Sequence, residues 1–202
     1  PSIDTGSGLE RVAAVMQGVY QNYDTDVFTP IIHHAARLAN VRYGEQKDVD
    51  TALRVIADHT RAAAFLIADG VMPSNEERGY VLRRIMRRGI RYGVKIGLKG
   101  AFMHETVQTC IDQFGDAYPE LRERSTFVTD VVKVEEERFA ATLDRGLALL
   151  EREFEKKPAQ ISGQTAFVLA DTYGFPVDLT QLIAAERSLE VDEVGFKVLR
   201  EE

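Results

Sequence analysis

The sequence of 202 residues contains one cysteine, Cys110, so no disulfide can form within the chain and no thiolate cluster can hold a structural zinc ion. It also lacks any apolar run close to the roughly 18 residues that a membrane span needs. The first ten residues have neither the basic start nor the apolar centre of a signal peptide. These absences predict a soluble, cytoplasmic protein with no membrane partner. Because the first residue is Pro1 rather than Met, we expect a piece of a longer protein.

Several familiar chemical motifs are missing as well. There is no nucleophile elbow, no Walker loop and no Rossmann fingerprint. His33 and His34 are adjacent, so they point to different faces of a helix and cannot form a metal-binding pair at i, i+4. His59 and His104 each stand alone. The sequence therefore predicts no metal site.

Sustained alternation of apolar and polar residues is absent, which argues against a sheet. Apolar residues instead recur at spacings of three and four, and this pattern predicts an all-α fold of many helices. One helix is expected to be long, from Pro119 to Lys157, with a kink near Ser125 and its surplus charges on a solvated face. Three shorter helices follow it, the first two separated by the turn "TYGFPV".

The net charge is −7, yet residues 54–100 carry ten lysines and arginines against four acids, a local charge of +6. A helix predicted after Pro73 places five arginines within an arc of roughly 140°. This arginine stripe consists of Arg83, Arg84, Arg87, Arg88 and Arg91. The opposite arc is expected to hold Val81, Leu82, Ile85, Met86, Gly89 and Ile90. One face would then pack on a core while the other presents guanidinium groups.

Like charges at i, i+4 repel, so the arginine stripe predicts an anionic partner. The partner could be the phosphates of a nucleic acid, since arginine forks match phosphate oxygens. It could also be the carboxylates of neighbouring helices. Ser74 and Glu77 have the spacing of a capping box, which predicts that the helix begins beside Pro73 and leaves Asn75 exposed at its start. On this pattern alone, Asn75 could also be an ordinary turn or cap residue.

The amino terminus carries a second candidate site. Gly6 and Gly8 flank Ser7 just before an amphipathic helix, and Arg11 lies one turn into that helix. Two glycines allow the backbone to approach a ligand closely. A plain turn before a helix has the same pattern, so the segment alone fits either a ligand site or a turn.

Three segments together resemble the alanyl-tRNA synthetases, a family of class II aminoacyl-tRNA synthetases. "DTGSGLERVAAVMQ" resembles motif 3, "ADHTRAAAFLIADGVMPSNEERGYVLRRIMRRGIRYG" resembles a distinctive stretch downstream, and "LADTYGFPVDLT" resembles a third. Their order and spacing match, and the resemblance covers Ser2–Glu202. It implies that residues 1–18 end a catalytic domain and that 19–202 form a helical domain for the acceptor stem of tRNA(Ala). A subdivision near 100–118 is possible.

The resemblance implies roles by position. Asp4 would hold the amino group of alanine, Gly6 would lie near its side chain, and Gly8 would permit the close turn. Arg11 would pack on the adenine of ATP and reach toward its terminal phosphate.

Asn75 and Asp171 match the pair that reads a G·U wobble from the minor groove, where the guanine amino group has no base partner. The arginine stripe would hold phosphates. Asp171 has an alternative role as an acid that stabilises the turn after its helix, and Glu76 and Glu77 would repel phosphate if they faced RNA.

The implied function is therefore part of an alanine–tRNA ligase that uses ATP and Mg²⁺, with alanine and tRNA(Ala) as substrates. One motif of three cannot surround ATP and Mg²⁺, so we expect the chain alone to bind neither cofactor and to hold no complete set of catalytic residues. The alternative is a helical protein-interaction module whose arginine stripe pairs with acidic helices.

Overall fold

The computed structural model describes residues 6–201, and within that range the chain is α-helical with no strand. An isolated parallel bridge joins Ile161 and Val191. The all-α prediction is confirmed. The helices described are α1 (Leu9–Gln17), α2 (Thr29–Ala39), α3 (Lys47–Ala68), α4 (Glu77–Lys95), α5 (Met103–Phe114), α6 (Pro119–Glu123), α7 (Ser125–Glu155), α8 (Gly163–Thr172), α9 (Val177–Ala185) and α10 (Glu193–Glu201). None of these helices is both long and apolar enough to span a bilayer.

The chain forms two compact units, Pro1–Val134 and Glu135–Glu202, and the limit between them falls within α7. The domain limits predicted from the sequence, after residue 18 and near 100–118, stay predictions.

Helix α3 is the centre of the first unit, where it packs against α2, α4 and α5. Its 22 residues bury a face of small and aliphatic side chains that includes Ala52, Ile56, Ala63 and Ile67. Small residues let neighbouring helices approach closely, and burial of the aliphatic ones supplies the apolar contact that stabilises the unit. Cys110 of α5 is also buried, which raises the pKa of its thiol to about 12. The thiol is therefore protonated at neutral pH.

The second unit is built around α8, which packs against α9 and α10. Phe175, in the turn between α8 and α9, is fully buried, and its ring centroid lies 5.6 Å from that of Phe139. The turn is closed by a hydrogen bond of 2.8 Å from the amide of Phe175 to the carbonyl of Leu169. Ser162 caps the start of α8, since its hydroxyl accepts from the amide of Thr165 at 3.1 Å. Both ends of α8 are thus fixed locally.

The long helix predicted from Pro119 is interrupted where the kink was expected. Helix α6 ends at Glu123 and α7 begins at Ser125, while Arg124 between them donates to the carbonyl of Ala68 at 2.7 Å. The solvated face predicted for the acids of this helix is wrong at Glu135 and Glu136, which are 3% and 0% exposed. Both acids take part in interactions within the protein, and such partners allow a carboxylate to be buried.

Candidate nucleic-acid interface

The segment before α4, residues 72–76, forms what we call the Asn75 loop. The capping box predicted from Ser74 and Glu77 is wrong, because α4 begins at Glu77 with Glu76 as its N-cap and no side chain caps it. The hydroxyl of Ser74 instead donates to the carbonyl of Glu76 at 2.9 Å and accepts from its amide at 3.3 Å. A serine hydroxyl that bonds the backbone two residues later favours a turn over a helix start.

The Asn75 loop lies directly on the first turn of α4. A Cβ atom at Gly79 would come within 2.2 Å of the Ser74 hydroxyl oxygen and 2.3 Å of the carbonyl oxygen of Met72. No real side chain tolerates such distances, so this contact requires glycine. Asn75 itself is exposed at the start of α4, as predicted.

Arg83 joins α4 to the same loop. One end nitrogen of its guanidinium donates to the amide oxygen of Asn75, and the other donates to the carbonyl of Pro73 at 3.3 Å. The sequence predicted only an anionic partner for this arginine, either phosphates or carboxylates. The contact with Asn75 was missed because it joins residues eight positions apart across a loop, and no periodic pattern indicates that path.

The arginine stripe is partly built into the protein. Arg84 and Arg88 are exposed, whereas Arg83, Arg87 and Arg91 are half-buried. All except Arg88 take part in further interactions within the chain. The most exposed guanidinium groups on this part of α4 therefore belong to Arg84 and Arg88.

The apolar arc predicted for α4 is confirmed at Leu82, Met86, Gly89 and Ile90, which are buried. It is wrong at Val81, which is 44% exposed. Seven residues make nearly two turns of an α-helix, so Val81 lies on the same face as Arg88 rather than opposite it.

Asp171 lies on the last turn of α8 and is exposed. The turn that follows contains Gly174, whose φ of 65° favours glycine. Asp171 belongs to the second unit and Asn75 to the first, so their pairing stays a prediction.

The amino-terminal candidate segment is described from Gly6 onward, and Asp4 lies outside the described residues. Gly6, Gly8 and Arg11 are exposed, and Gly8 is the N-cap of α1 with a φ of 79°. A Cβ atom at Gly8 would lie 3.8 Å from the stem of Arg11, so the glycine turn and the arginine border the same space.

Helix α1 is joined to α3 by an ion pair. A carboxylate oxygen of Glu10 lies 2.5 Å from a guanidinium nitrogen of Arg61, and this hydrogen bond lowers the pKa of Glu10. Arg61 also lies over the ring of Phe28, with 4.4 Å from its guanidinium carbon to the ring centroid. The pair ties the first turn of α1 to α3.

An apolar surface on α1 was not predicted. It consists of Leu9, Val12, Val15 and Met16, which are exposed. Arg11, Val15 and Tyr20 border an open depression of about 510 Å³. The exposed guanidinium and the apolar side chains of this depression are groups that can contact phosphate and a flat ring, respectively. Among residues 6–201, no three histidine, cysteine, aspartate or glutamate side chains are grouped to hold a metal ion.

The family described as tRNA synthetases class II (A) matches residues 1–202, which is the whole chain. The chain belongs to this family. Membership confirms the family expected from the three sequence segments.

Members of the class II tRNA synthetase family that resemble the chain are named alanine–tRNA ligase. That of Nitratidesulfovibrio vulgaris is 54% identical and that of Lawsonia intracellularis 52% identical, each over 100% of the chain and 23% of the relative's length. The ligase of Anaeromyxobacter dehalogenans is 53% identical over 97% of the chain and 24% of its own length. The chain thus spans about a quarter of the curated relatives that it matches.

Proposed function

We propose that the chain is the part of an alanine–tRNA ligase that holds the acceptor stem of tRNA(Ala) and reads its G·U wobble pair. The observation that carries the proposal is the exposed Asn75, held at the start of a helix on which Arg84 and Arg88 are also exposed. Arginines on one face suit phosphates, which set the register of an RNA helix without reading its sequence. An exposed amide beside them can reach base edges in the wide, shallow minor groove of A-form RNA.

We also assign to the amino-terminal segment the motif 3 contribution to the ATP and alanine site. Asp4 would hold the amino group of alanine, Gly6 and Gly8 would leave room for it, and Arg11 would contact the adenine and terminal phosphate. ATP supplies the free energy for joining alanine to tRNA, and Mg²⁺ would accompany it, but no ligand of Mg²⁺ is assigned to this chain. We expect the chain by itself to show no ATP–pyrophosphate exchange with alanine.

Asp171 is the residue that most directly tests base reading. In a G·U pair the guanine amino group is free to donate to a carboxylate, whereas in a G·C pair it is already bonded to its partner base. Asp171→Ala should therefore lower the preference for a G·U stem over a G·C stem by roughly 5- to 150-fold, the equivalent of about 1 to 3 kcal/mol. Asn75→Ala should act in the same direction.

The measurement is the ratio of the two dissociation constants at one fixed salt concentration, for the chain and for a complete ligase built around the same sequence. Asp144→Ala is the matched control, because Asp144 is an exposed aspartate of the same unit. It should leave the ratio unchanged. If Asp171→Ala and Asn75→Ala lowered thermal stability while the ratio stayed that of the wild type, both residues would be structural and the proposal would fail.

The alternative function is a protein-interaction module whose acidic partner would meet the same exposed arginines, Arg84 and Arg88. The double variant Arg84→Glu, Arg88→Glu separates the two candidates. If the stripe holds phosphates, the variant should bind all stems more weakly and with a flatter salt dependence, by about 0.7 to 0.9 in slope for each lost contact. Full affinity for RNA in this variant would favour the protein-interaction module.

A further inference from the structure

The arginine at position 83 differs from the others of the stripe because it holds the residue that is proposed to read the base. Its guanidinium donates to the side-chain oxygen of Asn75 and to the carbonyl of Pro73, the latter at 3.3 Å. Arg83 is half-buried, whereas Asn75 is exposed. One side chain thus fixes both the backbone of the Asn75 loop and the amide at its tip.

The chemistry of the two groups decides which atom of Asn75 remains available. A guanidinium has only hydrogen-bond donors, so the atom of Asn75 that faces it must be the oxygen of the amide. The amide nitrogen, with its two N–H groups, is attached to the same planar carbon and is therefore the atom left to meet a ligand. Asn75 held in this way is a donor.

The packing of the loop makes the orientation a property of the fold. Gly79 and Arg83 are four residues apart and lie on the same face of α4, and the loop crosses both. Met72 and Ser74 lie against Gly79. Pro73 and Asn75 accept hydrogen bonds from Arg83. Holding a recognition group in its bound orientation reduces the entropy lost on binding.

We propose that Arg83 is a positioning residue that turns the amide nitrogen of Asn75 toward the minor groove of the acceptor stem, where it donates to a base or ribose oxygen. The inference rests on the proposed reading of the stem by Asn75 and Asp171. It gives the two residues complementary roles, since a carboxylate only accepts and Asn75 donates. A G·U pair presents a free guanine amino group and pyrimidine oxygen O2 on that edge, which are a donor and an acceptor.

The first test compares two arginines of the same helix. Arg83→Met should lower the G·U to G·C binding ratio by about as much as Asn75→Ala. Arg88→Met, the matched control at an exposed position, should weaken both stems equally and leave the ratio unchanged. Arg83→Lys keeps a donor nitrogen for the amide oxygen of Asn75. Its G·U to G·C binding ratio should therefore lie between those of Arg83→Met and the wild type. If Arg83→Met weakened both stems equally, Arg83 would be one more phosphate contact and the inference would be wrong.

The second test separates the donor from the acceptor side of Asn75. Asn75→Asp keeps an oxygen for Arg83 and removes the N–H groups. It should lower the G·U to G·C binding ratio as much as Asn75→Ala does, although the Asn75 loop stays in place. Retention of the wild-type ratio by Asn75→Asp would overturn the assignment of Asn75 as a donor.

A third measurement needs no RNA. The side-chain amide signals of Asn75 in a ¹⁵N NMR spectrum of the free protein should shift in Arg83→Met and stay in place in Arg88→Met. If they stay in place in Arg83→Met while Asp171→Ala still abolishes the ratio, the positioning role fails and the proposed function stands. If the signals shift but the wild-type protein binds G·U and G·C stems equally, the proposed function fails and base reading by Asn75 fails with it.

Discussion

Helices α1 and α4 of the first unit both carry candidate binding residues, but they are held in different ways. Helix α1 buries Ala14 and exposes four larger apolar side chains, and its ion pair to α3 runs from Glu10 to Arg61. Helix α4 buries much of one face, from Gly79 to Gly93. The setting of Arg84 and Arg88 is therefore determined by the core of the unit. The α1 segment has apolar surface beyond what its unit covers, in line with its proposed share in a larger nucleotide site.

The largest difference between the helices should appear when the same residue type is truncated in each. Met86 of α4 is fully buried and Met16 of α1 is 81% exposed. Met86→Ala should lower the free energy of unfolding by about 2 to 5 kcal/mol, because it removes buried contacts and leaves a cavity. Met16→Ala, the matched control, should change it by less than about 0.5 kcal/mol. Urea unfolding followed by circular dichroism measures the free energy of unfolding of each variant. Equal losses in the two variants would show that α1 and α4 do not differ in how they are held.

A smaller effect is expected where the Asn75 loop meets α4. Gly79→Ala would place a methyl group 2.3 Å from the carbonyl oxygen of Met72, so the loop must move. We expect a loss of about 1 to 3 kcal/mol of stability, together with a lower G·U to G·C ratio. Gly89→Ala is the comparison within the same helix, because its added methyl group would meet its nearest neighbour, Cβ of His59, at 3.3 Å. This milder crowding is partly offset by the helix preference of alanine, so Gly89→Ala should cost less stability than Gly79→Ala and leave the ratio unchanged. A stable Gly79→Ala variant with an unchanged ratio would show that the loop does not need this contact.

The smallest effect is expected at the ion pair of α1. The hydrogen bond from Arg61 lowers the pKa of Glu10 in the folded protein. Its contribution is therefore present above the unfolded pKa of about 4.3 and is lost as the pH falls through the folded pKa. Since both side chains are partly exposed, Glu10→Gln should cost at most about 1 kcal/mol at pH 7 and nothing in strong acid. Thermal unfolding against pH measures this.

The exposed pair of Glu45 with Arg42 supplies the control for that titration. Glu45→Gln should change stability less than Glu10→Gln at pH 7, and neither variant should matter in strong acid. A larger effect of Glu45→Gln would mean that the pair joining α1 to α3 is not what stabilises α1.

The sequence predicted the helices well because their periodicity and ends are local. Gly70 follows the end of α3 with a φ of 90°, and the break before Ser125 separates α6 from α7. The Asn75 loop was harder to predict, since Ser74 has two possible partners and the sequence does not say which one it bonds. The contact of Arg83 with Asn75 depends on the path that Gly79 allows, and that path is a tertiary property.

Three glycines of α4 restrict how the helix can turn about its own axis. Gly79 lies against Met72 and Ser74, Gly89 against His59 and Met103, and a Cβ atom at Gly93 would come within 2.2 Å of a ring carbon of Phe102. Rotation of α4 by one residue, about 100°, would bring larger side chains into these places. When a polyanion binds the exposed guanidinium groups, α4 cannot rotate about its axis without these steric clashes. The direction in which Arg84 and Arg88 face is therefore fixed by residues that have no side chain.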